Sequence, residues 1–249
     1  MNAYHALADS YDRLTNDVPY GSVVEFYQQI LNREGLAPKT AVDLACGTGS
    51  VAVLLAELGM QVTAVDMSEE MLCVAAQKAQ DMDNAPWFVC QRLEKLALPE
   101  KVDLAVCALD SLNYITVPAD CEKAIKRVYR ALNAGGCFVF DVNTPNKLRA
   151  MDGQVFLDED EDVYCVWRGE FDEKTNICTY AMDLFQRAGN VWHRSFEEHQ
   201  EYAYTTEQLK DYLQKAGFTD IEIFADRALE APKEGEQRIF IKARKGNVK

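Results

Sequence analysis

The chain has 249 residues, enough for one large α/β domain with an insertion or for two small domains. Hydrophobic residues make up 48% and charged residues 27%, the balance of an ordinary folded globular chain. With 40 acidic against 26 basic side chains the formal net charge is −14, a surface that repels phosphate backbones and disfavours a nucleic-acid partner.

The first segment, Tyr4 to Tyr20, is polar and aromatic, and too short to be a core helix alone. One reading is an amphipathic stretch docking its rings on the domain surface. Ser22-x-x-Glu25 is a capping-box pattern that predicts a helix from Val23 to Arg33, stopped by Gly35, with Pro38 before the first strand. The apolar run Ala41 to Ala45 then breaks into Cys46-Gly47-Thr48-Gly49 and resumes at helical spacing from Val51 to Leu58. That order is strand, tight glycine turn, helix, with glycine where φ is positive or where backbone must lie against a ligand. A second apolar strand, Gln61 to Val65, ends in Asp66. An acid there, roughly 20 residues past the turn, is placed to bond both hydroxyls of a ribose. No third glycine follows at dinucleotide spacing, and there is no Gly-Lys-Ser/Thr phosphate loop. A glycine turn with no ligand is the competing reading.

The pattern Asp43-x-Ala45-x-Gly47-x-Gly49 resembles motif I of the class I S-adenosylmethionine-dependent methyltransferases, which reads acid-x-Gly-x-Gly-x-Gly. It departs from that motif at Ala45, where one methyl is a small intrusion that binding should survive. The resemblance implies that Ala45, Cys46, Gly47, Thr48 and Gly49 cradle the amino-acid end of the cofactor, with Asp43 near its ammonium. It gives Asp66 the ribose and sets Met67 against the adenine. It also makes the first segment a lid in which Tyr11 and Tyr20 close over the cofactor and Arg13 approaches its carboxylate.

Ser68 is a cap for the helix that follows, with acids in the first turn. A third strand, Trp87 to Cys90, leads into Gln91-Arg92-Leu93. Relatives carry an acid or amide for the adenine amino group near this point. Here Arg92 stands at the expected position, leaving the role to the Gln91 amide or the Leu93 backbone, unless Arg92 simply pairs with Glu94 in solvent. The fourth strand, Val102 to Ala108, is almost wholly apolar, as when helices cover both faces of a sheet. It ends in Leu109-Asp110-Ser111-Leu112-Asn113-Tyr114, polar groups at the carboxyl end of a central strand, where open α/β sheets bind ligands. By resemblance the strand-end backbone at Ala108 and Asp110 lie near the methionine portion, while Asn113 and Tyr114 border the acceptor. A simple turn with capping Asp, Ser and Asn is the alternative. Pro118 opens a helix that runs to Asn133-Ala-Gly-Gly136, where two glycines suit a left-handed terminus, and the strand Cys137 to Val142 follows.

A separate segment, 144–204, intervenes before the last helix. The acidic stretch Asp158 to Asp162 reads as a solvated loop. Three β-rich runs follow, Val163 to Phe171, Ile177 to Gln186 and Val191 to Tyr202, read as an antiparallel meander. Its placement over the open end of the sheet resembles small-molecule methyltransferases with an antiparallel lid there. It serves as an acceptor lid or as the interface of a homodimer. His193 and His199 on its third strand are acceptor-side candidates, with exposed strand histidines as the alternative; Tyr180, Tyr202 and Tyr204 offer stacking or hydrogen bonds. Thr205 to Gln208 caps a helix to Ala216, Gly217 stops it, and strands Asp220 to Phe224 and Arg238 to Ala243 close the chain as a hairpin.

The expected fold is α/β, a doubly wound Rossmann-like sheet of seven mostly parallel strands with a terminal antiparallel hairpin. Residues 1–143 and 205–249 form the core with its N-terminal lid, and 144–204 the small antiparallel β insertion. The expected activity is transfer of a methyl group from S-adenosylmethionine, leaving S-adenosylhomocysteine, to an O or N atom of a small-molecule acceptor. Absence of Asn-Pro-Pro-Tyr/Phe or Pro-Cys after the fourth strand, and the acidity, favour that acceptor over RNA or protein. Methylation of RNA or protein would call for a basic rim around the cleft, and a noncatalytic cofactor-binding partner for a cavity too narrow for an acceptor. The eight cysteines lack Cys-x-x-Cys, and most sit in apolar runs, which suits a reducing cytoplasm. There is no signal-peptide pattern, no run of membrane-spanning length and no metal-ligand spacing.

Overall fold

The computed structural model describes residues 18–246. Helix α1 (Tyr20–Arg33) leads into β1 (Thr40–Leu44), α2 (Ser50–Glu57), β2 (Gln61–Asp66), α3 (Glu69–Lys78) and β3 (Trp87–Cys90). Strand β4 (Val102–Cys107), α4 (Pro118–Ala131) and β5 (Leu132–Asn143) complete the parallel part. After the insertion come α6 (Thr206–Ala216), β10 (Phe218–Ala225) and β11 (Arg238–Lys245). The strands pair in the order β10-β11-β5-β4-β1-β2-β3, all parallel except β11, which runs against both β5 and β10. This is the seven-stranded sheet with a terminal antiparallel hairpin that the sequence implies.

Alternation along the buried strands divides the core. In β4, Leu104 and Val106 face α1 and α2, packing with Phe26, Ile30 and Leu55. Ala105 and Cys107 face α4 and α6, packing with Ile125, Val128 and Leu213. The chain winds from β1 outward to β3, then crosses back to place β4 on the other side of β1. A crevice therefore opens at the carboxyl ends of β1 and β4, the topological switch point at which such sheets take ligands.

The insertion is a second sheet of four strands, not three: β6 (Val155–Glu159), β7 (Val163–Asp172), β8 (Ile177–Ala188) and β9 (Val191–Tyr202), in that order, preceded by a short helix α5 (Pro145–Arg149). Two of the five residues expected as an acidic loop are thus strand, since Asp158 and Glu159 pair with Cys165 and Tyr164. All residues of β6 are exposed, so its acids point to water without breaking the ladder.

Two terminus expectations are corrected. Helix α1 begins three residues before the predicted start; Ser22 lies inside its first turn and donates back to the Pro19 carbonyl instead of capping. Helix α4 ends at Ala131, short of the glycine pair. Only Gly135 has positive φ, 75°. Gly136 is glycine for space, because a Cβ there would lie 2.9 Å from the Asn133 carbonyl oxygen. Ser68 and Thr205 cap α3 and α6 as predicted, the latter in a full capping box. No helix among the described residues is long and apolar enough to cross a membrane.

The closing hairpin is locked to α1 by Lys242, whose buried ammonium bonds Glu222 (2.7 Å), Asp220 (2.9 Å) and Glu34 (3.1 Å). The lysine fills the centre of these acids, which would otherwise look like a cation site. Burial opposes the charge on Glu222, but Lys242 and Arg33 hold its carboxyl below the usual range. A carboxyl depressed in the folded state stabilises at neutral pH, and that stabilisation disappears as pH falls through its folded pKa. Lys242→Met should therefore cost about 2–3 kcal/mol in urea unfolding at pH 7. The difference from wild type should shrink below about pH 4.

Candidate functional site

The carboxyl ends of β1, β2 and β4, the start of α4 and the edge strand β9 enclose a cavity of about 640 Å³. Its volume lies in the ~300–1,000 Å³ span of small-molecule sites.

The motif I turn forms one wall, and its three small-residue positions have three different reasons. Ala45 has φ 54°, in the left-handed region where a side chain is strained. This is where the family motif has glycine. Gly47 has φ 54°, and a Cβ added to it would meet nothing within 4 Å, so its backbone borders open cavity. Gly49 (φ 77°) precedes α2 and faces α3; a Cβ there would lie 2.9 Å from that of Ala75. Gly49 is absent from the cavity wall, unlike Ala45, Cys46, Gly47 and Thr48. It is a packing glycine, which corrects its expected place in the cradle. Thr48 and Ser50 are fixed from behind by the Lys78 ammonium, at 3.2 and 2.9 Å.

Asp66 ties the turn to the second strand. Its Oδ2 accepts from the Gly47 N–H (2.9 Å) and its Oδ1 from the Ser68 N–H (2.9 Å). Each carboxylate oxygen retains a second lone pair for a hydroxyl in the cavity. Asp43 is 1% exposed, lines the cavity, and its Oδ2 has no hydrogen-bond partner among the described residues. Burial, and then the neighbouring Asp66, push its carboxyl up to about 8. An orphaned buried carboxylate oxygen costs stability until a donor reaches it. A ligand ammonium would supply that donor, so the residues present fit S-adenosylmethionine.

Tyr20 and Met67 line the same cavity, Met67 with its side chain half open. Gln91, Arg92 and Leu93 also border it. The Gln91 amide is engaged at both ends with Ala97, accepting from its N–H (3.0 Å) and donating to its carbonyl (3.3 Å). Arg92 pairs with Glu94 at 2.5 Å. Of the three, the Leu93 N–H is left for a ligand, its carbonyl accepting from the Leu96 N–H at 3.1 Å. Tyr11 and Arg13 lie outside the described residues.

At the end of β4 the chain turns through Leu109 (φ 55°) and Asp110 (φ 51°), both left-handed without being glycine. Asp141 holds this turn: its oxygens accept from the Leu109 N–H (2.7 Å) and the Asp110 N–H (2.9 Å). Arg238 bonds Asp141 and, at 2.6 Å, Asp110. Burial raises the Asp141 carboxyl, with Arg238 opposing. Burial also works against the Arg238 charge, yet Asp110 and Asp141 hold that guanidinium above its ordinary range. Ala108, Asp110 and Tyr114 border the cavity.

Asn113 does not. It is fully buried, its Nδ2 donating to the carbonyls of Asn143 (3.1 Å) and Tyr202 (3.0 Å) and its Oδ1 accepting from the Asn143 N–H (3.1 Å). Its amide is consumed in joining core to insertion. His193 is exposed on β9, opposite Gln186 and about 20 Å along the strand from His199. It too is outside the cavity. His199 is inside: 2% exposed, its Nε2 lies 3.1 Å from Glu197 Oε2, and its ring sits edge-on to Tyr114 at 6.2 Å.

Sequence reasoning missed Arg238, Glu198 and Gln200, all on the cavity wall. No local motif marks them. A strand-edge pattern could have flagged β9, whose Tyr202 bonds outward to Asn113 through both its N–H and its carbonyl. Alternation in an antiparallel pair then turns the backbone groups of Gln200 and Glu198 away from β8 on the same side.

Residues 41–136 match the family described as "Methyltransferase domain". The chain is 33% identical to a "Putative methyltransferase" of Geobacillus sp. (strain WCH70), over 97% of this chain and 99% of that one. Among solved structures it is similar to an S-adenosylmethionine-dependent methyltransferase from Clostridium acetobutylicum ATCC 824. That pair is 31% identical with a TM-score of 0.88, covering 99% of this chain and 100% of the other. The sugar N-methyltransferase KedS8 from Streptoalloteichus sp ATCC 53650 shares the fold at 18% identity, with a TM-score of 0.81 over 96% of this chain and 92% of that one.

Two outcomes follow from the geometry. Ala45→Gly should gain about 1 kcal/mol in urea unfolding by removing the left-handed strain. Asp43, raised to about 8, is mostly protonated at pH 7 and must ionise to meet an ammonium. Titration with S-adenosylmethionine at pH 7 should therefore release close to one proton, read as an enthalpy that varies with buffer, and affinity should fall as pH drops from 8 to 6. Asp43→Asn should abolish the buffer dependence.

Proposed function

The chain belongs to the class I S-adenosylmethionine-dependent methyltransferases, and on that premise we propose that it methylates an O or N atom of a small-molecule acceptor. The observation that carries the proposal is the single cavity that holds Asp43, with its orphaned oxygen, together with Asp66 and His199. The cofactor, when bound, supplies a methyl group on a sulfonium, already activated for displacement. Asp43 meets its ammonium, the Gly47 turn and the end of β4 flank its amino-acid portion, and Asp66 orients its ribose. The remaining task of the chain is to align the acceptor and exclude water.

Edge strand β9 acts as the acceptor-side wall. His199, held by Glu197, takes the proton that an O–H or N–H acceptor gives up. Tyr114 orients the acceptor beside it. A cavity of about 640 Å³ and a net charge of −14 support a small molecule over RNA. The described cysteines are all free, in keeping with a reducing cytoplasm.

Calorimetric titration tests the reading. S-adenosylmethionine should bind and NAD should not, with Asp66→Ala weakening binding at least about tenfold. Failure of folded, cofactor-free protein to bind S-adenosylmethionine would overturn the proposal. Once an acceptor is found by following S-adenosylhomocysteine formation, His199→Ala should lower turnover by roughly 10²–10⁴-fold with cofactor affinity unchanged.

A further inference from the structure

The cavity wall carries six carboxylates, on Asp43, Asp66, Glu94, Asp110, Asp120 and Glu198, against the two guanidiniums of Arg92 and Arg238. Asp141, fully buried behind the Asp110 turn, adds another acid that shares Arg238. A donor with one net positive charge cannot balance this excess. The imbalance is concentrated away from the adenine end, where Glu94 is neutralised by Arg92 at 2.5 Å. Beside the donor's amino-acid portion, Asp110 and Asp141 share the Arg238 guanidinium. Glu198 accepts only a 3.5 Å contact from Gln200 Nε2 among the described residues. Asp120 bonds Lys123, whose side chain is exposed to water.

The backbone repeats the message of the side chains. Because Tyr202 bonds outward to Asn113, the carbonyls of Gln200 and Glu198 point away from β8 on the side where Asn113 lies. Both residues border the cavity, so the edge of β9 offers it carbonyl acceptors next to a carboxylate. That arrangement suits a guest rich in N–H donors and repels one that brings an anion. A negative wall with low-dielectric backing also concentrates cations at its mouth.

We infer that the acceptor is a small amine that enters as its ammonium cation and is methylated on nitrogen. The inference rests on the methyltransferase reading above and narrows it. The outward carbonyls of β9 receive the ammonium, and the exposed Glu198 carboxylate beside them draws it to the mouth of the cavity. His199 removes one proton from it, passing that proton on to solvent, and so frees the nitrogen lone pair. A bond then forms between that nitrogen and the methyl carbon as the carbon–sulfur bond breaks, its electron pair going to sulfur. The positive charge thus moves from sulfur to nitrogen, and the product leaves as its N-methylammonium cation. A carboxylate or phosphate acceptor would have to enter against the same wall.

The test uses full-length protein saturated with S-adenosylhomocysteine and titrated by calorimetry with two matched series. One is benzylamine, benzyl alcohol and benzoate; the other is glucosamine, glucose and glucuronate. In at least one series the amine should bind about tenfold more tightly than the alcohol, with no detectable binding of the acid. Glu198→Gln, a change at an exposed position, should cut the amine's advantage at least about threefold, as should raising salt to about 0.5 M. The inference is overturned if an alcohol or acid is the tightest member, or if no member of either series binds while S-adenosylhomocysteine loads normally. Failure of S-adenosylhomocysteine itself to load would count against the methyltransferase reading instead.

Discussion

Asp141 sits sealed from water at the carboxyl end of β5, and a carboxylate in that position must find donors or destabilise the fold. It finds them in the Leu109 and Asp110 amides and in Arg238. The amide bonds hold two consecutive non-glycine residues in left-handed backbone, a conformation that would relax without them. The floor of the cavity is therefore set from behind. Arg238 opens the last strand, so the floor is complete only when the C-terminal hairpin has docked beside β5. One buried charge couples the end of the chain to the heart of the site.

A second carboxylate pair works in the opposite sense. Asp66 has one backbone donor on each oxygen and defines the turn, whereas Asp43 keeps an oxygen without a donor among the described residues. The fold tolerates that deficit because Asp43 belongs to a central strand paired on both sides by β2 and β4, where the surrounding ladder over-determines its position. Ala45, just past the end of β1, carries its left-handed strain where that ladder stops. Stability in the sheet offsets the cost of a site prepared for a cation.

Most of this was legible in the sequence wherever the signal was local. Strand–glycine–helix order, the acid ending β2, Ser68 and Thr205 as caps, and Gly217 as a stop all depend on neighbours within a few residues. The errors have a common origin in contacts between distant segments. Asn113 looked like an acceptor contact because it ends a central strand; its partners, Asn143 and Tyr202, are 30 and 89 positions away. Gly49 looked like part of the cradle because of its motif, yet its reason is Ala75 on another helix. Arg238 and Glu198 carry no motif, and only the sheet order brings them to the cavity. The acidic run hid a strand because β6 is exposed throughout, so burial left no alternation to read.

The double grip of Asn113 bears on how such a chain can change over time. Its one amide holds Asn143, where the backbone leaves the seven-stranded sheet, and Tyr202, where it returns. The intervening residues thus depart and come back through a single clasp. Closing a longer or shorter excursion at that clasp changes the entropy by only about 0.6 kcal/mol per doubling of length. Lineages could accordingly recast the excursion, and with it the wall that greets the acceptor, while the half that holds the methyl donor is inherited intact.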